Sequence, residues 1–175
     1  DAGIGDRVTV IANFPRYLKP ILLGASDISV SPVDNIQESF GLNILEAMAA
    51  GLPVVASNWS GYRDLIVHNE TGFLVDTLMS SSALQLGTTI AGVAVVPHAE
   101  SYFASQTWVD VAQLVSSMRA LAASAELRGR MGAAGRARVT QLFDWRKAME
   151  RFGDLWREQI AEANSLASDE TGHHL

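Results

Sequence analysis

The sequence predicts an α/β fold: a parallel sheet with helices on both faces, ending in a helical segment. Three observations carry that expectation. Short β-branched runs alternate with segments of helical period through the first half of the chain. The central helix has an unambiguous stop in Gly51-Leu52-Pro53, followed at once by an apolar run. From Trp108 onward the apolar spacing is helical almost to the end.

In order along the chain, Arg7 to Ala12 (R-V-T-V-I-A) reads as a strand from its β-branched content. Arg16 to Ala25 places Leu18, Ile21 and Leu22 at helical spacing, with Pro20 confined to a first turn. Asp27 to Ser31 is a second strand, stopped by Pro32. After the loop Val33 to Ser39, the run Gly41 to Ala50 puts Leu42, Leu45, Met48 and Ala49 on one helical face. Val54 to Ser57 makes a third strand, Gly61 to Val67 a short helix, and Phe73 to Val75 a fourth strand after the turn Asn69-Glu70-Thr71-Gly72. Strands alternating with helices imply right-handed crossovers in a parallel sheet.

Met79 to Gln106 breaks this rhythm. Its serines, its glycines Gly87 and Gly92, and the apolar Val93, Val95 and Val96 have no common period, so residues 79–106 read as an irregular excursion. Three helices then follow, at Val109 to Ser124, Ala125 to Gln141 and Asp144 to Ala163, the second weakened by Gly132 and Gly135. The expected domain spans residues 1–165, with a polar, frayed tail at 166–175. Asp1 is not an initiator Met, and the opening residues lead straight into a strand, which reads as a domain incomplete at its N-terminus.

Bulk properties narrow the function classes. The chain has 175 residues, 48% hydrophobic and 18% charged, enough for one domain with a real core. A net charge of −6 argues against general nucleic-acid binding, which needs clustered Lys and Arg. Without cysteine there are no disulfides or thiolate metal sites. No apolar run approaches the roughly 20 residues that span a bilayer. A cytoplasmic protein is the default expectation, with peripheral membrane placement of a full-length enzyme left open.

The chemistry concentrates in Glu38-Ser39-Phe40-Gly41-Leu42-Asn43-Ile44-Leu45-Glu46. Ser39 can cap the helix that Gly41 begins, and glycine lets a ligand approach the backbone. The first-turn N–H groups and the helix dipole favour an anion there. Glu38 stands just outside the helix, and Glu46 lies roughly 7 Å along it at about 1.5 Å per residue. Both carboxylates can border one cleft and accept vicinal hydroxyls of a sugar. Two glutamates flanking an amphipathic helix are nevertheless common, and a carboxylate near a helix start is favourable without any ligand.

The wider series decides between these readings. S-x-P before Glu38, F-G-L after it, E-A-M-A-A-G-L-P-V-V-A-S behind, then G-Y-R-D-L-I, T-G-F-L-V and the late F-D-W-R at Phe143 to Arg146 resemble the retaining glycosyltransferases of family 4 (glycosyl transferases group 1) at matching intervals. The resemblance covers Gly5 to about Trp156 and is sharpest from Ser31 to Val75. It implies the C-terminal, donor-binding half of a GT-B fold, a Rossmann-like domain that binds a nucleotide diphosphate-sugar. It implies that Glu38 supports the transition state, that Phe40, Gly41 and Leu42 meet sugar and phosphate, and that Glu46 holds the ribose. Asn13 and Phe14 are weaker candidates for meeting the base. It further implies retaining, metal-independent chemistry with no cofactor beyond the donor. In the family, an Arg/Lys pair on the diphosphate comes from upstream of the first strand, and the acceptor is bound by an N-terminal domain. Neither is supplied by these residues, so the isolated chain is expected to be inactive and to self-associate through bare interdomain surface. Trp145 and Trp156 on the last helix are of the kind usually found in a core, although the resemblance implies a helix that returns to a partner domain and so leaves part of its apolar face bare.

Competing readings are a non-catalytic nucleotide-sugar-binding or regulatory module and a GT-B sugar-nucleotide epimerase. A dinucleotide oxidoreductase is disfavoured because no G-x-G-x-x-G follows a strand. Arg63 and Asp64 can touch a ligand or pair with each other, the structural role being favoured, and His68 is expected to be solvated or hydrogen-bonded rather than a metal ligand.

Overall fold

The computed structural model describes residues 3–33, 40–82, 85, 89 and 102–171. The chain divides into two compact units, Asp1–Arg136 and Ala137–Leu175. The first holds a parallel sheet of β1 (Ser29–Ser31), β2 (Val54–Ser57) and β3 (Gly72–Val75), in that order. Ser29 is in register with Val54, and Val54 in turn with Gly72. All four residues of β2 are buried, as expected of a central parallel strand covered on both faces.

The helix α1 (Leu18–Gly24) precedes β1, α2 (Leu42–Ala49) joins β1 to β2, and α3 (Tyr62–Leu65) joins β2 to β3. α2 packs on β1 and β2 through Ile44, Leu45, Ala47 and Met48, all buried. On alternate positions of the sheet, Val55 and Val75 join Leu121 and Met131 in one buried cluster. Leu121 comes from α4 (Val111–Ala123) and Met131 from α5 (Ala125–Leu142). Side-chain caps begin these helices: Asp110 Oδ1 accepts from the Gln113 N–H at 2.9 Å, and Ser124 Oγ from the Leu127 N–H at 3.1 Å.

The turn after α2 is a Schellman motif. The Gly51 N–H donates to the Met48 carbonyl (2.9 Å) and the Leu52 N–H to the Ala47 carbonyl (3.0 Å), with Gly51 at φ +82°. Gly132 of α5 packs directly on the Gly51 carbonyl, where a Cβ has no room. That contact corrects the expectation that Gly132 weakens the helix: α5 runs through it unbroken, and the absent side chain permits the close approach.

Other expectations change as well. Arg7 to Ala12 is not a strand: a 3-10 turn occupies Gly5–Arg7, and Val8, Val10 and Ile11 beyond it are exposed. β-branched residues favour a pleated surface only where a neighbouring strand offers a ladder, and among the described strands β1 pairs only with β2. The excursion begins and ends in a second sheet, where β4 (Thr77–Met79) pairs antiparallel with β5 (Thr107–Val109). Gly87, Gly92, Val93, Val95 and Val96, the core of that excursion, lie outside the described residues. Trp108 therefore sits in a strand rather than leading a helix.

In the second unit α6 (Trp145–Thr171) stays helical into the expected tail, as far as Thr171. Its Trp145 and Trp156 are exposed, at 76% and 56%, on the bare apolar face that the resemblance implies rather than in a core. No described helix is long and apolar enough to cross a membrane.

Candidate functional site

The site forms where β1 ends and α2 begins. Gly41 is the N-cap of α2, in the left-handed region at φ +88°, and among the described residues no side chain caps the helix. Glu38 and Ser39 lie outside the described residues, so neither the transition-state carboxylate nor the expected cap has a described position. Phe40 and Leu42 flank the glycine and are exposed.

The glycine at this point has a structural cause that the sequence reading missed. A Cβ on Gly41 would lie 2.5 Å from Tyr62 Cε1 and 3.2 Å from Leu65 Cδ1. The Tyr62 ring thus fills the space a side chain would take. Its hydroxyl, buried with the ring, lies 3.1 Å from Ser31 Oγ. Asn43 Nδ2 donates to Ser31 Oγ at 3.0 Å and lies 3.3 Å from the tyrosine oxygen. Ser31, Asn43 and Tyr62 therefore tie the end of β1, the first turn of α2 and α3 into one polar knot. The start of α2 is held rigidly at the mouth of the site.

Further along α2, Glu46 projects into a groove of about 790 Å³ with Phe14, Arg16, Lys19, Ala49, Ala50 and Arg136 in its walls. Lys19 Nζ of α1 forms an ion pair with Glu46 Oε2. The structure thus brings Glu46 and Phe14 to one groove and places Phe40, Gly41 and Leu42 at the preceding helix start. Asn13, at φ +50°, is the neighbour of Phe14 but does not line the groove.

Three cations at the Glu46 end were not anticipated. Arg16 and Lys19 stand three apart at the head of the first predicted helix, a spacing that does bring two side chains to one face. Arg136 reaches the groove from α5, far along the chain, and no local pattern signals that.

Arg63 takes the favoured structural role, with the Asn58 carbonyl as its partner. Arg63 donates through Nε (3.1 Å) and Nη2 (2.9 Å) to the Asn58 carbonyl, a structural clamp on the loop after β2. The Leu74 N–H donates to His68 Nδ1 at 3.0 Å, so that histidine braces β3 as a hydrogen-bonded residue.

Residues 1–87 match the family described as glycosyl transferases group 1. A D-inositol 3-phosphate glycosyltransferase of Paenarthrobacter aurescens is 42% identical over 79 residues, 43% of this chain and 18% of that protein. One of Corynebacterium diphtheriae is 34% identical over 125 residues, 66% of this chain and 28% of its own length. A solved sucrose-phosphate synthase from Thermosynechococcus elongatus superposes with a TM-score of 0.64 at 28% identity, covering 91% of this chain and 32% of that one. The chain thus spans less than a third of each of these relatives. A parallel sheet flanked by helices, the start of α2 at Gly41, and these matches converge: the chain is a Rossmann-like domain that belongs to the glycosyl transferases group 1.

Proposed function

We propose that this chain is the donor-binding part of a retaining, metal-independent glycosyltransferase that moves a sugar from a nucleotide diphosphate-sugar to an acceptor. The supporting observation is the layout along α2. Its N-terminus opens at Gly41 with exposed Phe40 and Leu42 beside it, and Glu46 borders a groove lined by cations and the Phe14 ring. In this reading the diphosphate lies at the helix start, where N–H groups and dipole favour an anion. The ribose hydroxyls meet Glu46, and the base lies in the groove beyond it, against Phe14. Arg16 and Arg136 offer only donors, suited to carbonyl or phosphate oxygens.

Glu38 supports the developing charge at the anomeric carbon during transfer, and the leaving diphosphate is stabilised by the helix N–H groups and by cations. No cofactor beyond the donor takes part. The acceptor is bound outside these residues, so the isolated chain binds donor without transferring sugar. In the full-length enzyme this half lies in the cytoplasm.

A backbone-amide NMR titration with UDP, GDP and ADP, repeated on Glu46→Ala, tests the reading. Shifts centred on Phe40 to Glu46 for one nucleotide, weakened in the variant, are expected. No shift with any of the three would overturn it for this chain, as would detectable sugar transfer by the isolated chain for the expected inactivity.

A further inference from the structure

The pair between Lys19 of α1 and Glu46 of α2 bridges two helices across the floor of the groove. Its side chains are 41% and 43% exposed, and an ion pair between side chains so exposed adds little to stability. Ile44 and Met48 of the same helix are fully buried and anchor α2 by packing.

What the ion pair fixes is one carboxylate. A free glutamate samples several rotamers, and ordering such a side chain costs conformational entropy. With Oε2 held by the Lys19 ammonium, Oε1 retains lone pairs to accept from a ligand. A cation on one oxygen therefore sets the direction in which the other is presented, and it does so before any ligand arrives. The lysine comes from the first turn of α1, next to Arg16 and Phe14 in the groove wall. It acts from the side on which the nucleoside would lie.

We infer that Lys19 is a positioning residue that aims the Glu46 carboxylate at the ribose 2′-hydroxyl and so sets the preference for ribonucleotides over deoxyribonucleotides. This rests on the donor-binding reading of Glu46 given above. Lys19 transfers no proton and breaks no bond; it acts through Glu46.

The test compares the affinities of UDP, GDP and ADP with those of their 2′-deoxy counterparts, by calorimetry, on the wild-type chain, Lys19→Met, Lys19→Arg and Glu46→Gln. A hydrogen bond to a charged acceptor corresponds to a preference of about tenfold for the ribonucleotide in the wild type. Lys19→Met should reduce that ratio to about threefold or less, and Lys19→Arg should restore most of it. Circular dichroism and thermal midpoint should be nearly unchanged in Lys19→Met, which separates positioning from folding. An unchanged ratio in Lys19→Met, with the wild type still preferring the ribonucleotide, overturns the role of Lys19 and leaves the donor site standing. Binding without any ribose preference in the wild type overturns it as well. If none of the three diphosphates binds, the donor-binding reading itself falls, and the role of Lys19 with it.

Discussion

At Gly41 two demands meet: a backbone at φ +88° and a tyrosine ring where a Cβ would stand. An alanine there carries the left-handed cost of about 1–2 kcal/mol and must also displace Tyr62 or Leu65. Gly41→Ala is therefore expected to lose about 2–4 kcal/mol in a urea melt, overpacking adding about 1–3 kcal/mol to the backbone cost before relaxation. Tyr62→Phe keeps the ring and removes only the hydroxyl from the Ser31–Asn43 knot. Its loss should be nearer 1 kcal/mol, with the polar groups left behind adding to it. If Gly41→Ala melts like the wild type, the glycine answers to ligand approach alone. Asp144 offers a second test at this scale. The Arg146 N–H donates to Asp144 Oδ1 at 2.8 Å, and the Arg146 side chain also reaches the carboxylate. Backbone hydrogen bonding, then the side-chain contact, lowers its pKa from the usual carboxylate value. A depressed carboxylate stabilises the folded form above its unfolded pKa, and that contribution is lost as pH falls through the folded one. The helical signal of the wild type should thus fall in acid below the ordinary carboxylate range. In Asp144→Asn, followed by circular dichroism against pH, that part of the acid transition should be missing.

The elements differ in how far the sequence disclosed them, and the reason is the range of the interactions that make each one. α2 and its exit were legible because every signal is local: the apolar face, Gly51 for the left-handed turn, Pro53 to prevent continuation. β2 was legible from its unbroken apolar run. Arg7 to Ala12 looked equally persuasive, but a strand needs a neighbour that local composition does not report. β4 and β5 went unread for the converse reason, since Met79 pairs with Thr107 across the whole excursion. The site divides in the same way. Gly41 and Glu46 stood out in one short motif, whereas Lys19 and Arg136 join Glu46 in the groove lining only once α1 and α5 have packed. α6 carries a consequence at this scale. Trp145, Met149, Phe152 and Trp156 recur at alternating four- and three-residue steps, and all are half to three-quarters exposed. Acidic and basic residues are interspersed along it (Arg146, Lys147, Glu150, Arg151, Asp154, Arg157, Glu158, Glu162), so the exposed apolar stripe is the surface through which two copies would pair. Light scattering at increasing concentration should show a dimer of this chain, shifted toward monomer by Trp156→Glu. A monomeric mass at high concentration would count against that contact.

Across the whole molecule, stability should be graded from the middle of the parallel sheet outward. β2 is bonded to a strand on each side, and its residues are buried on both faces between α2 and the cluster of Leu121 and Met131. Its amides are released only when the sheet itself opens, and so report global unfolding. β4 and β5 form a two-stranded ribbon with Leu78 and Trp108 exposed, which is marginal on its own. Residues 8–12 pair with no strand among the described residues. Native-state hydrogen exchange should therefore protect Val54 to Ser57 most strongly, β4 and β5 less, and Val8 to Ala12 hardly at all. Met131→Ala, which empties part of the buried cluster, is expected to cost about 2–5 kcal/mol and to lower the protection of β2 by the same amount as the global stability. Nucleotide binding at the start of α2 would raise it, because a ligand that binds only the folded state stabilises every residue whose exchange requires global opening. The absence of any change at β2, with shifts still seen at Phe40 to Glu46, would mean that β2 exchanges through a local opening and that the sheet is not the last element to yield.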